Sequence, residues 1–149
     1  MPSPAARRFK TFAKTAALAC AVISPLWAHA QLTANVALTT NYKFRGQDQD
    51  SSRNKAVKPA LQGGFDYAFG DSGFYVGNWN SSVDWLPGNS LETDFYGGYK
   101  FKAAEVDWDV GALTYVYSGN ANGNTTEIYG SGTYGPFTAK NSQTVAKDG

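Results

Sequence analysis

The side chains that could do chemistry in this chain are mainly carboxylates set two residues apart. Glu92 and Asp94 form one such pair, Asp107 and Asp109 another. On an extended backbone, residues two apart share a face, so either pair could divide the work of a general acid and a general base. The simpler reading is a row of solvated charges on one side of a strand. The run Gln47-Asp48-Gln49-Asp50-Ser51-Ser52 opens like a calcium loop. Arg53 and Pro59 stand where that loop needs its glycine and its closing glutamate, so it fails the template. Asn80-Ser81-Ser82 matches a glycosylation sequon, but it falls inside a strand-like stretch and carries little weight. The single histidine, His29, and the single cysteine, Cys20, both lie within the first thirty residues. The rest of the chain therefore lacks the usual base and nucleophile of a Ser–His or Cys–His enzyme, and it has no thiol for a disulfide or a zinc site. The expectation is a protein that is not an enzyme, with no metal and no cofactor.

The charges divide at residue 30. Four of the 13 basic residues (Arg7, Arg8, Lys10 and Lys14) and none of the 12 acidic ones precede it, leaving nine against 12 and a formal charge of −3 beyond. No basic surface is left to bind nucleic acid. The first thirty residues have the layout of a secretory signal peptide: positive at 7–14, apolar at 15–27, then Ala28-His29-Ala30 as a small-x-small cleavage site. Thus 1–30 is expected to be a signal peptide and 31–149 the exported domain.

Beyond residue 30 the hydrophobic period is two, as in strands with one apolar face. Over 32–46, Leu32, Ala34, Val36, Leu38, Tyr42 and Phe44 oppose Thr33, Asn35, Thr39, Lys43 and Arg45. Over 56–69, Leu61, Phe65, Tyr67 and Phe69 oppose Lys58, Gln62 and Asp66. In 74–86, Tyr75, Trp79, Val83 and Trp85 stand against Asn78, Asn80, Ser82 and Asp84. In 91–102, Leu91, Phe95, Tyr99 and Phe101 stand against Glu92, Asp94, Lys100 and Lys102. In 106–118, Val106, Trp108, Val110, Ala112 and Val116 oppose Asp107, Asp109 and Gly111, with Leu113, Tyr115 and Tyr117 blurring the pattern. Two fainter strands follow at 126–134, which contains Glu127, and at 137–144.

Short and long connections alternate. Tight turns are expected at 70–73, 102–105 and 135–136, and longer polar loops at 47–55, 86–90 and 119–125. A transmembrane barrel is built this way, with short turns on one rim and long loops on the other. The strands exceed the usual five or six residues of soluble proteins, and aromatic residues gather near their ends, as in membrane-interface girdles. Together these features predict an all-β, antiparallel transmembrane β-barrel with about seven legible strands. A secreted β-sandwich with an apolar core would give the same alternation.

The stretches TANVALTTNYKFRG (33–46), PALQGGFDY (59–67), GFYVGNWNSSVDW (73–85), ETDFYGGYKF (92–101), VGALTYVYSG (110–119) and TEIYGSGTYGPFTAK (126–140) resemble the TorF-type porins, also known as the Gcw_chp proteins of proteobacteria. The resemblance implies an outer-membrane β-barrel and a channel, with no established substrate. It also implies further strands, so the barrel is expected to be incomplete here, an N-terminal portion ending on the polar segment 141–149.

With the apolar side chains toward lipid, the lumen would be lined by Lys43, Arg45, Lys58, Lys100 and Lys102 and by Asp66, Asp84, Glu92, Asp94, Asp107, Asp109 and Glu127. Rings of charge in a lumen set ion preference, whereas in a narrow barrel such charges pair and fill the interior. The function expected is passive diffusion of small hydrophilic solutes across the outer membrane of a Gram-negative bacterium. The alternatives are a non-conducting barrel with adhesin-like external loops, and a secreted β-sandwich binding glycans through Trp79, Trp85 and Trp108. Membrane lipid and small solutes are the expected partners; homo-oligomerisation stays open.

Overall fold

The computed structural model describes residues 31–51 and 57–148. The expected signal peptide, and part of the polar loop 47–55, lie outside them. The architecture is one antiparallel sheet of seven strands in sequence order, a meander in which each strand pairs with its predecessor. Its strands are β1 (Leu32–Thr39), β4 (Ala60–Ala68), β5 (Phe74–Ser82), β6 (Leu91–Ala103), β7 (Val106–Val116), β8 (Thr125–Tyr134) and β9 (Phe137–Lys147). Between β1 and β4 a two-stranded hairpin is inserted, β2 (Lys43–Phe44) and β3 (Gln47–Asp48). No helix among the described residues is long and apolar enough to cross a membrane. The edges of the sheet are β1 and β9, which are not paired with one another, so the described sheet is open and not a closed barrel.

The connections alternate as the sequence predicts. Residues 69–73, 104–105 and 135–136 link strands tightly at one end; 40–59, 83–90 and 117–124 form longer segments at the other. Gly73 and Gly135 hold the positive φ that two of the tight turns need, whereas Ala104 and Glu105 hold it without glycine. The strands β4 to β9 contain 9 to 13 residues, close to the roughly 9–11 of a tilted strand crossing a bilayer.

The pairing register assigns every strand two faces. One carries Leu32, Val36, Leu38, Leu61, Phe65, Val76, Phe95, Val110 and Ile128, and it is exposed: Val36 is 79 % accessible, Phe65 57 % and Ile128 50 %. Near the tight-turn end it ends in a band of aromatic rings. Tyr67 lies edge-on to Phe69, Phe74 tilts against Tyr99, and Tyr99, Phe101 and Trp108 stack in succession. The other face is polar, and there the burial lies: Ser81 is 1 % accessible and Glu92 2 %. The small apolar core, Val83, Tyr115 and Tyr117 with Tyr42, Phe44, Leu86 and Leu113 against it, sits at the long-connection end.

Three expectations are corrected. The strand predicted over 32–46 ends at Thr39, where its pairing with β4 stops, and 43–48 forms the separate β2–β3 hairpin, which turns on the positive φ of Arg45 and Gly46. The faces of β5 are reversed: Tyr75 and Trp79 point to the polar side and Asn78, Asn80 and Ser82 to the apolar one. Phe74 and Val76 share the parity of those asparagines, and the hydrogen bonds of Tyr75 fix the register in their favour. Strand β9 runs to Lys147, past the predicted end at 144, because its pairing with β8 continues across a bulge at Thr126/Glu127.

Candidate functional site: the polar face of the sheet

Successive strands bring polar side chains to one level because the registers are direct. Opposite Glu92 on β6 stands Ser81 of β5; opposite Asp94 stands Trp79 on one side and Tyr115 on the other. Glu127 on β8 stands opposite Leu113 of β7. The face divides into two levels.

At the long-connection end the hairpin lies over three buried carboxylates. Glu92 accepts hydrogen bonds from Tyr42 Oη at 2.8 Å and Tyr117 Oη at 2.5 Å. The guanidinium of Arg45 donates to both oxygens of Glu127, at 2.9 and 2.7 Å, and Tyr115 Oη adds a third bond at 3.3 Å. Such a two-pronged charge-assisted pair fixes geometry as well as charge. Its bond to Glu127 holds the Arg45 guanidinium above its ordinary range, so it stays charged. Burial first, and then the charge of Glu92, push the Tyr42 hydroxyl up, so it stays a donor. Asp94 is buried, and its Oδ1 has no hydrogen-bond partner among the described residues. Phe44 meets the Tyr115 ring edge-on at 5.7 Å and Tyr42 meets Trp79 at 5.5 Å. The hairpin thus rests on β5, β6, β7 and β8 together.

Toward the tight turns, tyrosines hold the acids. Tyr75 Oη donates to Asp109 at 2.6 Å and meets the hydroxyl of Tyr129; Tyr96 Oη donates to Asp66 at 2.6 Å. Tyr75 and Tyr129 stand on strands three places apart, about 14 Å in a flat sheet, and their hydroxyls meet because each ring lies across the strand beside its own. Lys100 Nζ sits 4.7 Å from the Tyr75 ring centre and Lys140 Nζ 4.1 Å from that of Tyr129. These side chains, with Trp79 and Asp94, line a groove of about 660 Å³.

Each of these tyrosines faces a glycine: Tyr96 opposite Gly77, Tyr75 opposite Gly98, Tyr129 opposite Gly111. A β-carbon at Gly77 would fall inside the Tyr96 ring, so the glycine lets the ring lie across the neighbouring strand and reach Asp66. Gly77→Ala is therefore expected to displace Tyr96, break its bond to Asp66 and cost about 1–3 kcal/mol in urea titrations, as overpacking does. Gly130→Ala, whose added β-carbon meets only Val110 at an ordinary 3.9 Å, should leave stability within about 0.5 kcal/mol.

The sequence-predicted lining residues divide by place. Asp66, Glu92, Asp94, Lys100, Lys102, Asp107, Asp109 and Glu127 share the polar face on strands. Lys102 and Asp107 form an exposed pair at the rim, 3.6 Å apart. Lys43 and Arg45 belong to the hairpin. Lys43 pairs with Asp48 at 3.4 Å, and Lys58, in the segment before β4, reaches the same carboxylate at 3.4 Å and the Asp50 carbonyl at 2.9 Å. Desolvation would raise the Asp48 carboxyl, but the two lysines hold it below its usual range. Asp84 is not on a strand: it is exposed in the 83–90 connection, where its backbone bonds to that of Gln49 and Ser51. The alternation missed Tyr42, Tyr75, Tyr96, Tyr115, Tyr117, Tyr129 and Lys140. For Tyr75, Tyr96 and Tyr129 the signal available was a tyrosine, ambivalent between faces, that pairs with a glycine.

Among the described residues, no group of three or more His, Cys, Asp or Glu is placed to hold a metal ion. The model of the Gcw_chp family, described as bacterial proteins of unknown function, matches residues 27–149. The chain belongs to this family. No curated protein matches it, and no solved structure does either. Family membership names the chain's kin; what a Gcw_chp protein does has to be argued from the two faces of the sheet.

Proposed function

We propose that this Gcw_chp protein is an outer-membrane β-barrel of the TorF porin type, exported by a leader at residues 1–30, through whose polar interior small hydrophilic solutes diffuse passively. One observation carries the reading: the sheet is built inside out for water. Its exposed face is apolar on most strands, interrupted by Asn78, Asn80 and Ser82 on β5, while carboxylates, tyrosines and lysines are gathered on the other side. A β-sandwich buries its apolar face against a second sheet, and no second large sheet is present among the described residues. Lipid covers such a face at no cost. The aromatic band at the tight-turn end is placed as an interfacial girdle would be. The open edges of β1 and β9 would need strand partners in a bilayer.

The hairpin resting on the polar face favours a second reading, a barrel that is filled and acts through its external segments. The glycan-platform reading finds less support, since Trp79 lies on the polar face and Trp108 on the apolar one.

The test is conductance in planar bilayers, using protein purified from membranes after expression of the full chain. Discrete steps are expected; a folded, lipid-inserted protein that never conducts would favour the filled barrel. Single-tryptophan variants in brominated-lipid vesicles test orientation separately. Fluorescence from Trp108 should be quenched and that from Trp79 should not; equal behaviour of the two would sink the membrane orientation.

A further inference from the structure

We infer that the β2–β3 hairpin is the constriction of the passage, and that the Arg45–Glu127 pair is the pin that sets its width. The inference rests on the channel reading above. The hairpin's charged and polar residues are exposed, but its one apolar anchor, Phe44, packs inward on the small core, so the hairpin is tied down over the polar face. Tyr42 ties its base to Glu92 on β6, Phe44 packs on Tyr115 of β7, and Arg45 at its turn reaches across to Glu127 on β8. Behind it, the Gln49 carbonyl accepts from Asp84 N at 2.8 Å, clamping the returning chain to the 83–90 connection.

The free space responds to this placement. Along the polar face toward the tight turns the groove holds about 660 Å³. Beside the hairpin, bounded by Phe44, Gln47, Trp85, Tyr115, Tyr117 and Glu127, about 200 Å³ remains. That is a few waters' share of volume, and it lies where the hairpin covers the polar face, so on the channel reading a solute has to pass the hairpin here.

The pin is also the least redundant part. Arg45 takes φ +48°, a left-handed conformation that costs a non-glycine residue, in a two-residue turn that usually holds Asn, Asp or Gly. The turn therefore gains nothing locally from arginine. The gain is the reach of a forked guanidinium to a buried carboxylate, which a shorter turn residue would forgo.

The test separates the pin from the passage. A spin label at Gln47→Cys, an exposed hairpin position, reports hairpin mobility whether or not the protein conducts. Arg45→Glu and Glu127→Arg, made singly in the full-length protein, each set like charges face to face; the double exchange restores the pair in reverse. The expected result is a mobile label and roughly a doubling of the single-channel step in both single variants, with both readouts returning toward wild type in the double. Should a single variant fail to fold, Arg45→Gln with the double exchange gives the same comparison. A label equally immobile in all variants overturns the pin. A mobile label with an unchanged step, in a protein that conducts, overturns the constriction and leaves the channel reading standing. A wild type that stays silent while its label behaves as expected overturns the channel reading, and the constriction with it, but not the pin.

Discussion

Val110→Arg and Ile128→Arg should each remove about 2–4 kcal/mol of folding free energy in phospholipid vesicles, the cost of a charge near mid-depth on the lipid side of a barrel. Both residues lie on the apolar face near the middle of their strands, and both are already accessible, at 41 % and 50 %. In water an arginine at so exposed a position would change stability by less than about 0.5 kcal/mol. The sign and size of the effect therefore tell which solvent this face is built for. Ser131→Arg is the control at the same level. Ser131 sits on the polar face between Asp109 and Lys140, so its arginine gains a carboxylate neighbour that offsets the like charge of Lys140 and should be tolerated. Urea titration of vesicle-bound protein, followed by the heat-dependent gel mobility of folded barrels, gives all three values. If Val110→Arg is as harmless as Ser131→Arg, the apolar face does not meet lipid.

The alternation made most of the sheet legible because a half-buried strand must segregate its side chains, whichever solvent lies outside. Strands β4, β6 and β7 follow that rule at nearly every position, and their faces were readable from Leu61 to Tyr67, Leu91 to Lys102 and Val106 to Gly111. It failed where one residue type serves either side. Tyr75 and Trp79 look apolar in a list of residues, yet a tyrosine on the polar face offers a ring for packing and a hydroxyl for Asp109. In β5 that reversed the assignment. In 40–48 the alternation continues past the true end of the strand, because a hairpin folded onto the sheet also has an inner and an outer side. Only the positive φ of Arg45 separates the two cases, and arginine does not announce it.

The charges of the site were legible as a set but not as pairs. Period two places Glu92, Asp94 and Glu127 on one face, but it is silent about a partner 82 residues away in sequence, such as Arg45 for Glu127. Nor does it distinguish a satisfied carboxylate from an unsatisfied one. That difference, decided by which tyrosines reach across the polar face, has the second large consequence.

Glu92→Ala should cost about 2–4 kcal/mol, while Asp94→Asn, two residues along the same face, should cost nothing or stabilise. Glu92 is the acceptor for both Tyr42 and Tyr117, and Tyr117 is almost wholly buried. Removing that acceptor strands two hydroxyl donors, each at about 1–3 kcal/mol when it cannot reach water. Glu92→Gln keeps one good acceptor oxygen and should fall between wild type and alanine. Asp94 presents the opposite case. Its Oδ1 is buried without a partner among the described residues, and its nearest charged neighbour along the strand is another acid. An uncompensated carboxylate in such a place is held at a cost, which the neutral amide of asparagine relieves at the same size. Urea titrations of the three variants in one lipid composition would check the order. If Asp94→Asn proves as damaging as Glu92→Ala, Asp94 is bonded in the folded protein to a group outside the described chain. If Asp94→Asn stabilises, a carboxylate has been kept on the polar face at the expense of stability, and ion preference beside the hairpin is the property to measure against it.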